Sequence, residues 1–342
     1  MILDLVSVVM AVHNEQEEYL RASFNSIFQQ TYSNIEIIVV DDASDVVCQG
    51  IINDLCDGKH NVRIIRNVEN QGLTKSLNRG IVMAEGEFIA RMDADDISMH
   101  KRIELQVDYL KNHSDIDIVG TGVVAFGEEN CFMSPAFGYT NDEAQCNLFF
   151  SSTLCHPSVM MRRSFLDKYQ LCYDENVKKG QDYDLWERAS VHGKMAVMND
   201  VLLYYRTHSK QISFTNCSDQ NTSADTIRKR RLQRIGIKAS DKEYRCHRLL
   251  ASGVDSTISV NDVNSWINIL LMHNKATGLV DSNALKKNLS ARFVLYKLRN
   301  RQLLNVFSLK DVVLLVMILF ARIRMSIKLN NANKELRHIL GE

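Results

Sequence analysis

The chain has 342 residues, 45% of them hydrophobic and 24% charged, with Lys+Arg and Asp+Glu balanced at 41 each. That length suits two domains or one large domain with an appendage, and the composition excludes a disordered or fibrous protein. Zero formal net charge gives no electrostatic footprint for a nucleic-acid partner, and no apolar run reaches the roughly 18 residues that mark a membrane span. The eight cysteines follow no CxxC or Cys/His metal spacing. Asp4 interrupts the N-terminal apolar run and no basic region precedes it, so a cytosolic chain with reduced cysteines is expected.

Leu5 to Val12 is an almost unbroken apolar run, the pattern of a strand buried on both faces. It ends at His13-Asn14-Glu15. Asn14 followed by Glu17 predicts a capping box for a helix bearing Leu20, Phe24, Ile27 and Phe28 on one face. Ile35–Val40 reads as a second strand that stops at Asp41-Asp42-Ala43-Ser44, and Val47, Ile51 and Leu55 line the helix after it. Val62–Ile65 is a short third strand. A polar loop over Asn67–Gly72 leads into a helix with Leu73, Leu77, Ile81 and Ala84.

The fourth strand, 87–92, runs into Arg91-Met92-Asp93-Ala94-Asp95-Asp96, where three carboxylates fall within four residues. Helix and sheet contacts do not neutralise such a concentration at a strand end; a hard divalent cation with oxygen ligands does. An isolated Asp-x-Asp is commonly only a solvated turn, so its surroundings decide. Ile103, Val107 and Leu110 mark the next helix. Alternating strands and helices predict an α/β fold with a mainly parallel sheet flanked by helices, and ligands of such sheets sit beyond the strands' carboxyl ends. The clusters Ala11–Glu15, Asp41–Ser44 and Arg91–Asp96 all lie at such ends.

Ile118–Ala125 contains a Gly120-x-Gly122 match to the dinucleotide fingerprint, with Asp142 and Glu143 downstream. That motif must open a helix, and Val123-Val124-Ala125-Phe126 is β-like, so a central strand with close backbone approach at its glycines is expected instead of a dehydrogenase. Residues 128–150 give no clear pattern. His156–Arg162 reads as a strand, with Ser164 capping a short helix, Asp174–Gly180 as a loop, and a helix opening at Gln181-Asp182-Tyr183-Asp184. Met195–Met198 and Val201–Arg206 read as two strands.

In this order and spacing, several segments together resemble the family 2 glycosyltransferases, which have the GT-A fold. They are Val6–Glu15, Asn25–Ser44 with Gln30-Thr31-Tyr32, Asn70-Gln71-Gly72, Ala84–Asp96, His156-Pro157-Ser158, Gln181–Trp186 and Tyr204–His208. The resemblance covers about residues 3–214. It implies an inverting, metal-dependent hexosyl- or N-acetylhexosaminyltransferase that moves a sugar from a nucleoside-diphosphate donor, with UDP expected, to a saccharide or lipid-linked acceptor in bacterial surface-polysaccharide assembly. It further implies Mg²⁺ or Mn²⁺ on Asp95, with Asp93 touching the metal or the ribose and His208 near the metal or diphosphate. Asp41 and Asp42 would hold the uracil and ribose side, and Ala11, His13 and Glu15 would border the base. Asn70, Lys75, Asn78 and Ala94 are further donor-site candidates. Asp182 matches the family's catalytic base, with Asp184 as the alternate. Gln181 stands where the family usually has an acid, which is the sole support for a catalytically inactive nucleotide-sugar-binding or scaffold protein.

Residues 1–214 are therefore expected to form the catalytic domain and 215–342 a helical C-terminal extension. Ser213–Thr226 reads as a polar linker. Arg228-Lys229-Arg230-Arg231 suits either a solvated face or anionic lipid. Val312–Ala321 is ten apolar residues in a row flanked by Lys310, Arg322, Arg324 and Lys328. It is too short to span a bilayer, and suits a buried helix or an interfacial one that would hold the protein on the inner face of the cytoplasmic membrane.

Overall fold

The computed structural model describes residues 4–127, 133–134, 138–208, 217–251, 253, 255 and 257–300. Strand β1 (Val6–Val12) is buried on both faces: Val6, Val8, Met10 and Val12 enter one core and Val9 the other. Helix α1 (Glu17–Phe28) follows. Its capping differs from expectation. Gln16 is the N-cap, and Asn14, at φ 50°, instead accepts a hydrogen bond from Asp45 N while its own N–H donates to Ser44 Oγ. Asn tolerates the left-handed conformation, so Asn14 joins two loops rather than starting a helix.

The chain continues through β2 (Ile35–Asp41), α2 (Val46–Cys56), β3 (Val62–Arg66), α3 (Leu73–Met83), β4 (Phe88–Asp93), β5 (Ile97–Ser98) and α4 (Arg102–Asn112). Next come β6 (Ile118–Gly127), β7 (Met133–Ser134), α5 (Asn141–Asn147), a 3₁₀ turn at His156–Ser158, β8 (Met160–Arg162), α6 (Arg163–Tyr169), α7 (Gln181–Ala189) and β9 (Met195–Thr207). The sheet order is β3-β2-β1-β4-β8-β6-β9-β5, with β7 beside β6. Strands β3, β2, β1 and β4 are mutually parallel, and β8 is antiparallel to both of its neighbours. Helix α3 lies close on this sheet because Gly80 lacks a Cβ; one placed there would come within 2.5 Å of Val9 Cγ1 and 3.2 Å of Val40 Cγ2.

Strand β6 carries the Gly120-x-Gly122 segment and opens no helix; a Cβ on Gly120 would meet Leu154 Cδ2 at 2.8 Å. Three local expectations are corrected. His156–Ser158 is a turn because Pro157 supplies a fixed φ and no N–H for a ladder, so the strand starts only at Met160. Arg162, not Ser164, caps α6. The two strands expected near 195–206 are one, β9, because β6 pairs with its whole length through register shifts at Gly120 and Gly122. The unclear region gains α5, closed by a Thr140–Glu143 capping box.

Helices α8 (Cys217–Arg234), α9 (Asp241–Ala251), α10 (Val260–Thr277) and α11 (Ser282–Arg299) follow. The expected linker is thus largely helical, since Asp225 accepts hydrogen bonds from Arg228 and Tyr244 and Ala224 packs on the core. The arginines of the basic run on α8 are spent inside the protein. Arg230 and Arg234 pair with the buried Glu187, Arg230 also with Asp184, and buried Arg231 donates to Ser190 and Gln145. Arg228 donates to Phe150 O. The arginines of the run are thus engaged within the protein, and Lys229 is its exposed member, with Nζ 4.7 Å over the Tyr244 ring. A third apolar core joins these helices to Cys146, Phe149 and Phe150, so the extension and the first unit share packing. No described helix is long and apolar enough to cross a membrane, and the 312–321 run lies outside the described residues.

Gly80→Val tests the close approach of α3. Driving a branched side chain into Val9 and Val40 is expected to cost about 1–3 kcal/mol, read as a lower urea midpoint with an unchanged slope. An unchanged midpoint would mean that α3 stands farther from β1.

Candidate active site

The chain lays β1, β2 and β3 outward in one direction, then crosses back to place β4 on the other side of β1. This reversal is the topological switch point where α/β sheets bind ligands. The parallel register pairs Val12 with Asp41 and Ala11 with Asp93, so the three polar strand ends lie side by side.

On the β2 side both aspartates turn inward. Asp41 accepts from Ser44 N at 2.9 Å and from Arg66 Nε at 3.3 Å, which holds the tight turn that puts Ala43 at φ 55°. Asp42 accepts from Asn67 Nδ2, Gln71 N and Gly72 N at 2.6–2.8 Å. Burial opposes its ionisation, but these donors win and hold the carboxyl below its ordinary range. The Asp42 backbone carbonyl lies 2.8 Å from Nδ1 of the exposed His13. Both aspartates therefore build the loops that wall the site, and neither presents an open carboxylate.

On the β4 side the acidic cluster rests on Arg91, which is 3% exposed. Its guanidinium grips both oxygens of Asp93, one of them at 2.6 Å. Ser23 Oγ donates to the Asp93 carbonyl at 3.0 Å, and Ala94 is buried. Asp95 Oδ2 lies 3.1 Å from His208 Nε2. Asp96 is fully buried; its Oδ1 accepts from Arg206 N at 2.8 Å. Burial, then the charges of Asp95 and Asp93, push its carboxyl well up. Arg206 donates to Asp95 O at 2.7 Å and lies 4.0 Å over the Tyr19 ring.

Glu15, Asp95 and His208 each offer a ligand atom, and these three atoms lie within 4.8 Å of one another; Asp93, Asp95 and Asp96 form a second such group. The sequence reading placed Glu15 at the base; the structure brings its carboxylate to Asp95 and His208. Gln30 ties the end of α1 to the chain that follows the cluster: its Oε1 accepts from Ile103 N and its Nε2 donates to Met99 O.

Asp182 enters from the first turn of α7, which begins after Gly180 at φ 71°. Ser152 Oγ donates to its Oδ2 at 2.9 Å. Burial raises its carboxyl above the ordinary range, against the pull of the Tyr183 N–H, the Ser152 hydroxyl and nearby Arg91. The electrostatic reach of Arg91 to Asp93, Tyr173 and Asp182 places the α7 start and the β4 end on one polar interior. His156 Nε2 and the Tyr173 hydroxyl close that interior with a 2.7 Å hydrogen bond. Burial, then Arg91, depress the His156 imidazole well below its usual value, so it is neutral there.

Other candidates fall elsewhere. Asp184 has one oxygen on Arg188 and the other on Arg230, both at 2.8 Å; it is a tie to α8, which corrects its reading as the alternate base. Asn78 clamps the backbone N–H and C=O of Tyr173, each at 2.9 Å, so its amide positions a loop instead of facing the donor. Asn70 and Lys75 are exposed on the 67–72 loop and α3. The sequence reading missed Arg91, Ser152 and Tyr173 as site residues. An arginine two residues before an aspartate on one strand shares its face, which was the available signal for Arg91.

The sequence profile of glycosyl transferase family 2 matches residues 7–170. An uncharacterized glycosyltransferase of Methanocaldococcus jannaschii is 37% identical over 207 residues, 59% of this chain and 70% of that one. The O-antigen biosynthesis glycosyltransferase WbnJ of Escherichia coli is 32% identical over 218 residues, 61% of this chain and 82% of its own. The chain belongs to glycosyl transferase family 2 and is a glycosyltransferase. Its architecture is the GT-A fold: a crystal structure of S. aureus TarS 1–349 in complex with UDP-GlcNAc superposes with a TM-score of 0.59 at 17% identity, over 88% of each chain.

Asp42→Asn should destabilise the protein at neutral pH by about 1.5–3 kcal/mol, the range for hydrogen bonds to a charged group. Because the folded carboxyl is held low, that stability is complete above the unfolded value of about 3.9 and is lost as pH falls through the lower folded value. Urea midpoints of both proteins should converge below pH 4; a constant gap would assign the loss to packing.

Proposed function

We propose that the enzyme transfers a sugar, with inversion, from a UDP-sugar to a saccharide or lipid-linked acceptor during assembly of an O-antigen- or capsule-type polysaccharide. The observation that carries this reading is the convergence of Glu15, Asp93, Asp95 and His208 with Asp182 around the ends of β1 and β4. Similarity to WbnJ supports the polysaccharide setting, and the fold shared with TarS, crystallised with UDP-GlcNAc, supports the donor class.

The residues fit Mg²⁺ or Mn²⁺. Their donors are hard oxygens and an imidazole, and buried His208 Nδ1 and Asp96 Oδ2 lack hydrogen-bond partners among the described residues. Asp95 would hold the ion, with His208, Glu15 and Asp93 beside it; such an ion offsets charge on a departing diphosphate. Arg91 fixes Asp93 toward the ribose or the ion. Asp41 and Asp42 set the loops beside the base, which Ala11 and His13 border, while Asn70 and Lys75 lie on the donor-side rim. Asp182 takes the proton of the acceptor hydroxyl as that oxygen attacks the anomeric carbon from the side opposite the leaving group. Its raised carboxyl suits a base that later releases the proton.

Residues 1–214 are assigned catalysis and 215–342 the helical extension, with peripheral membrane contact assigned to the cation-flanked run at 312–321 on sequence alone. Gln181 favours the rival reading of an inactive binding protein; slow hydrolysis of a labelled UDP-sugar with Mn²⁺ excludes it.

In Asp95→Ala, Mn²⁺ should no longer strengthen UDP binding, as measured by calorimetry with and without the ion. Equal strengthening in mutant and wild type would remove Asp95 from the metal site. Asp182→Asn should keep UDP affinity and lose about 10²–10⁴ in turnover. The wild-type rate should fall as pH drops through a value above the ordinary aspartate figure of about 3.9, because only the ionised carboxyl accepts the proton. A turnover in Asp182→Asn within a few-fold of wild type would move the base elsewhere.

A further inference from the structure

Next to Asp182 the structure encloses a cavity of about 250 Å³ lined by Thr121, Tyr139, Asn147, Ser152, Thr153 and Arg292. Ser152 is the residue that donates to Asp182, so the cavity adjoins the proposed base. Ser151, Cys155 and Val197 complete a lining that is more polar than apolar, and buried Thr153 Oγ1 has no hydrogen-bond partner among the described residues. Arg292 reaches it from α11, outside the segment that matches the family profile.

Arg292 is a fixed cation without a counter-charge among the described residues. Its guanidinium lies 4.1 Å over the Phe150 ring. Nε donates to Asn288 Oδ1 at 2.8 Å, Nη2 to Asn147 Oδ1 at 3.1 Å and Nη1 to Leu250 O at 3.4 Å. All three acceptors are neutral, and Arg292 makes no salt bridge among the described residues. A guanidinium has five N–H donors in a planar fork, so two remain for a ligand. Burial pulls its ionisation down to about 10; Tyr139 and Tyr183 resist this, while Arg299 and Arg228 add to it. The side chain stays charged at neutral pH, and an anion there would relieve both burial and like-charge repulsion.

The same arginine borders a second cavity of about 410 Å³, whose other lining residues are Leu250, Ala251, Leu295, Leu298 and Arg299. Arg292 therefore stands between a polar chamber at the base and an apolar one that carries a second cation. We infer that Arg292 selects an acceptor that is a phosphate-bearing amphiphile: its sugar occupies the polar chamber, its phosphate meets Arg292 with Arg299 near, and the start of its hydrocarbon lies along Leu250, Leu295 and Leu298. A planar fork between the chambers recognises a phosphate in two-point fashion. The inference rests on Asp182 being the base only for the direction in which the sugar lies.

The test is calorimetry on the full chain saturated with UDP and Mg²⁺, using dodecyl phosphate, dodecyl glucoside and inorganic phosphate below micellar concentrations. Dodecyl phosphate should bind about ten- to hundredfold more tightly than either other probe, the worth of one charge-assisted contact. Arg292→Gln should remove that advantage and Arg292→Lys should restore part of it. Leu298→Gln, at a 37% exposed position, should weaken dodecyl phosphate several-fold and leave inorganic phosphate unchanged, which keeps the test open should Arg292→Gln misfold. Equal affinity of wild type and Arg292→Gln for dodecyl phosphate overturns the inference. So does dodecyl glucoside binding as tightly, and inorganic phosphate binding as tightly would make the site one for a free anion. Wild-type hydrolysis of UDP-sugar is scored separately: its absence would sink the transferase reading while leaving the phosphate titration readable.

Discussion

Negative charge packed at a strand end needs positive charge beneath it, and Arg91 is that charge. Asp93, Asp95 and Asp96 crowd one corner, where burial raises the carboxyls of Asp93 and Asp96. Arg91, itself buried, reaches both oxygens of Asp93 and lies within electrostatic range of Asp96, Tyr173 and Asp182. Arg102 stands behind it, fully buried and donating to the Arg91 carbonyl at 2.7 Å. Burial draws Arg102 down to about 10, with Asp96 opposing and Arg91 adding to the fall. The two buried arginines lie on one side of the three carboxylates, and Arg91 acts on both Asp93 and Asp182, so the acidic corner and the proposed base share one electrostatic environment.

The sheet makes that stack possible. Because β1 pairs in parallel with both β2 and β4, three loops separated by tens of residues open at the same edge. Asp41 and Asp42 consume their own carboxylates in shaping two of these loops. The acidic groups divide: Asp41 and Asp42 shape the walls, Asp93 is held by Arg91 and Asp96 is buried beneath, while Asp95 meets His208 and Glu15. Asn78 works likewise from α3, fixing Tyr173 through its backbone so that its hydroxyl meets His156.

The C-terminal helices belong to the same construction. Helix α8 is tied to α7 through Asp184 and Glu187, and α7 carries Asp182 in its first turn. A displacement of α8 would therefore move the proposed base. Helix α11 brings Arg292 to the chamber beside it. The extension thus borders the proposed acceptor side, while the sheet edge forms the proposed donor side.

The sequence by itself determined the alternation of strands and helices through the switch point, because a strand buried on both faces must be apolar throughout and a helix must show its 3.6-residue stripe. It also marked the acidic strand ends, since three clusters at corresponding positions converge in any parallel sheet. It misjudged caps at Asn14 and Ser164, a linker that is helix from Cys217 on, and a basic run whose arginines bond internally, all for one reason: turn-forming and charged residues look solvent-bound until their partners are known. Only the tertiary structure decided which carboxylates are walls and which are open. Asp182 and Asp184 sit two residues apart on one helix turn, and nothing local distinguishes them. Their roles divide because one meets Ser152 beside a cavity and the other meets Arg188 and Arg230, and Arg230 lies 46 residues from Asp184.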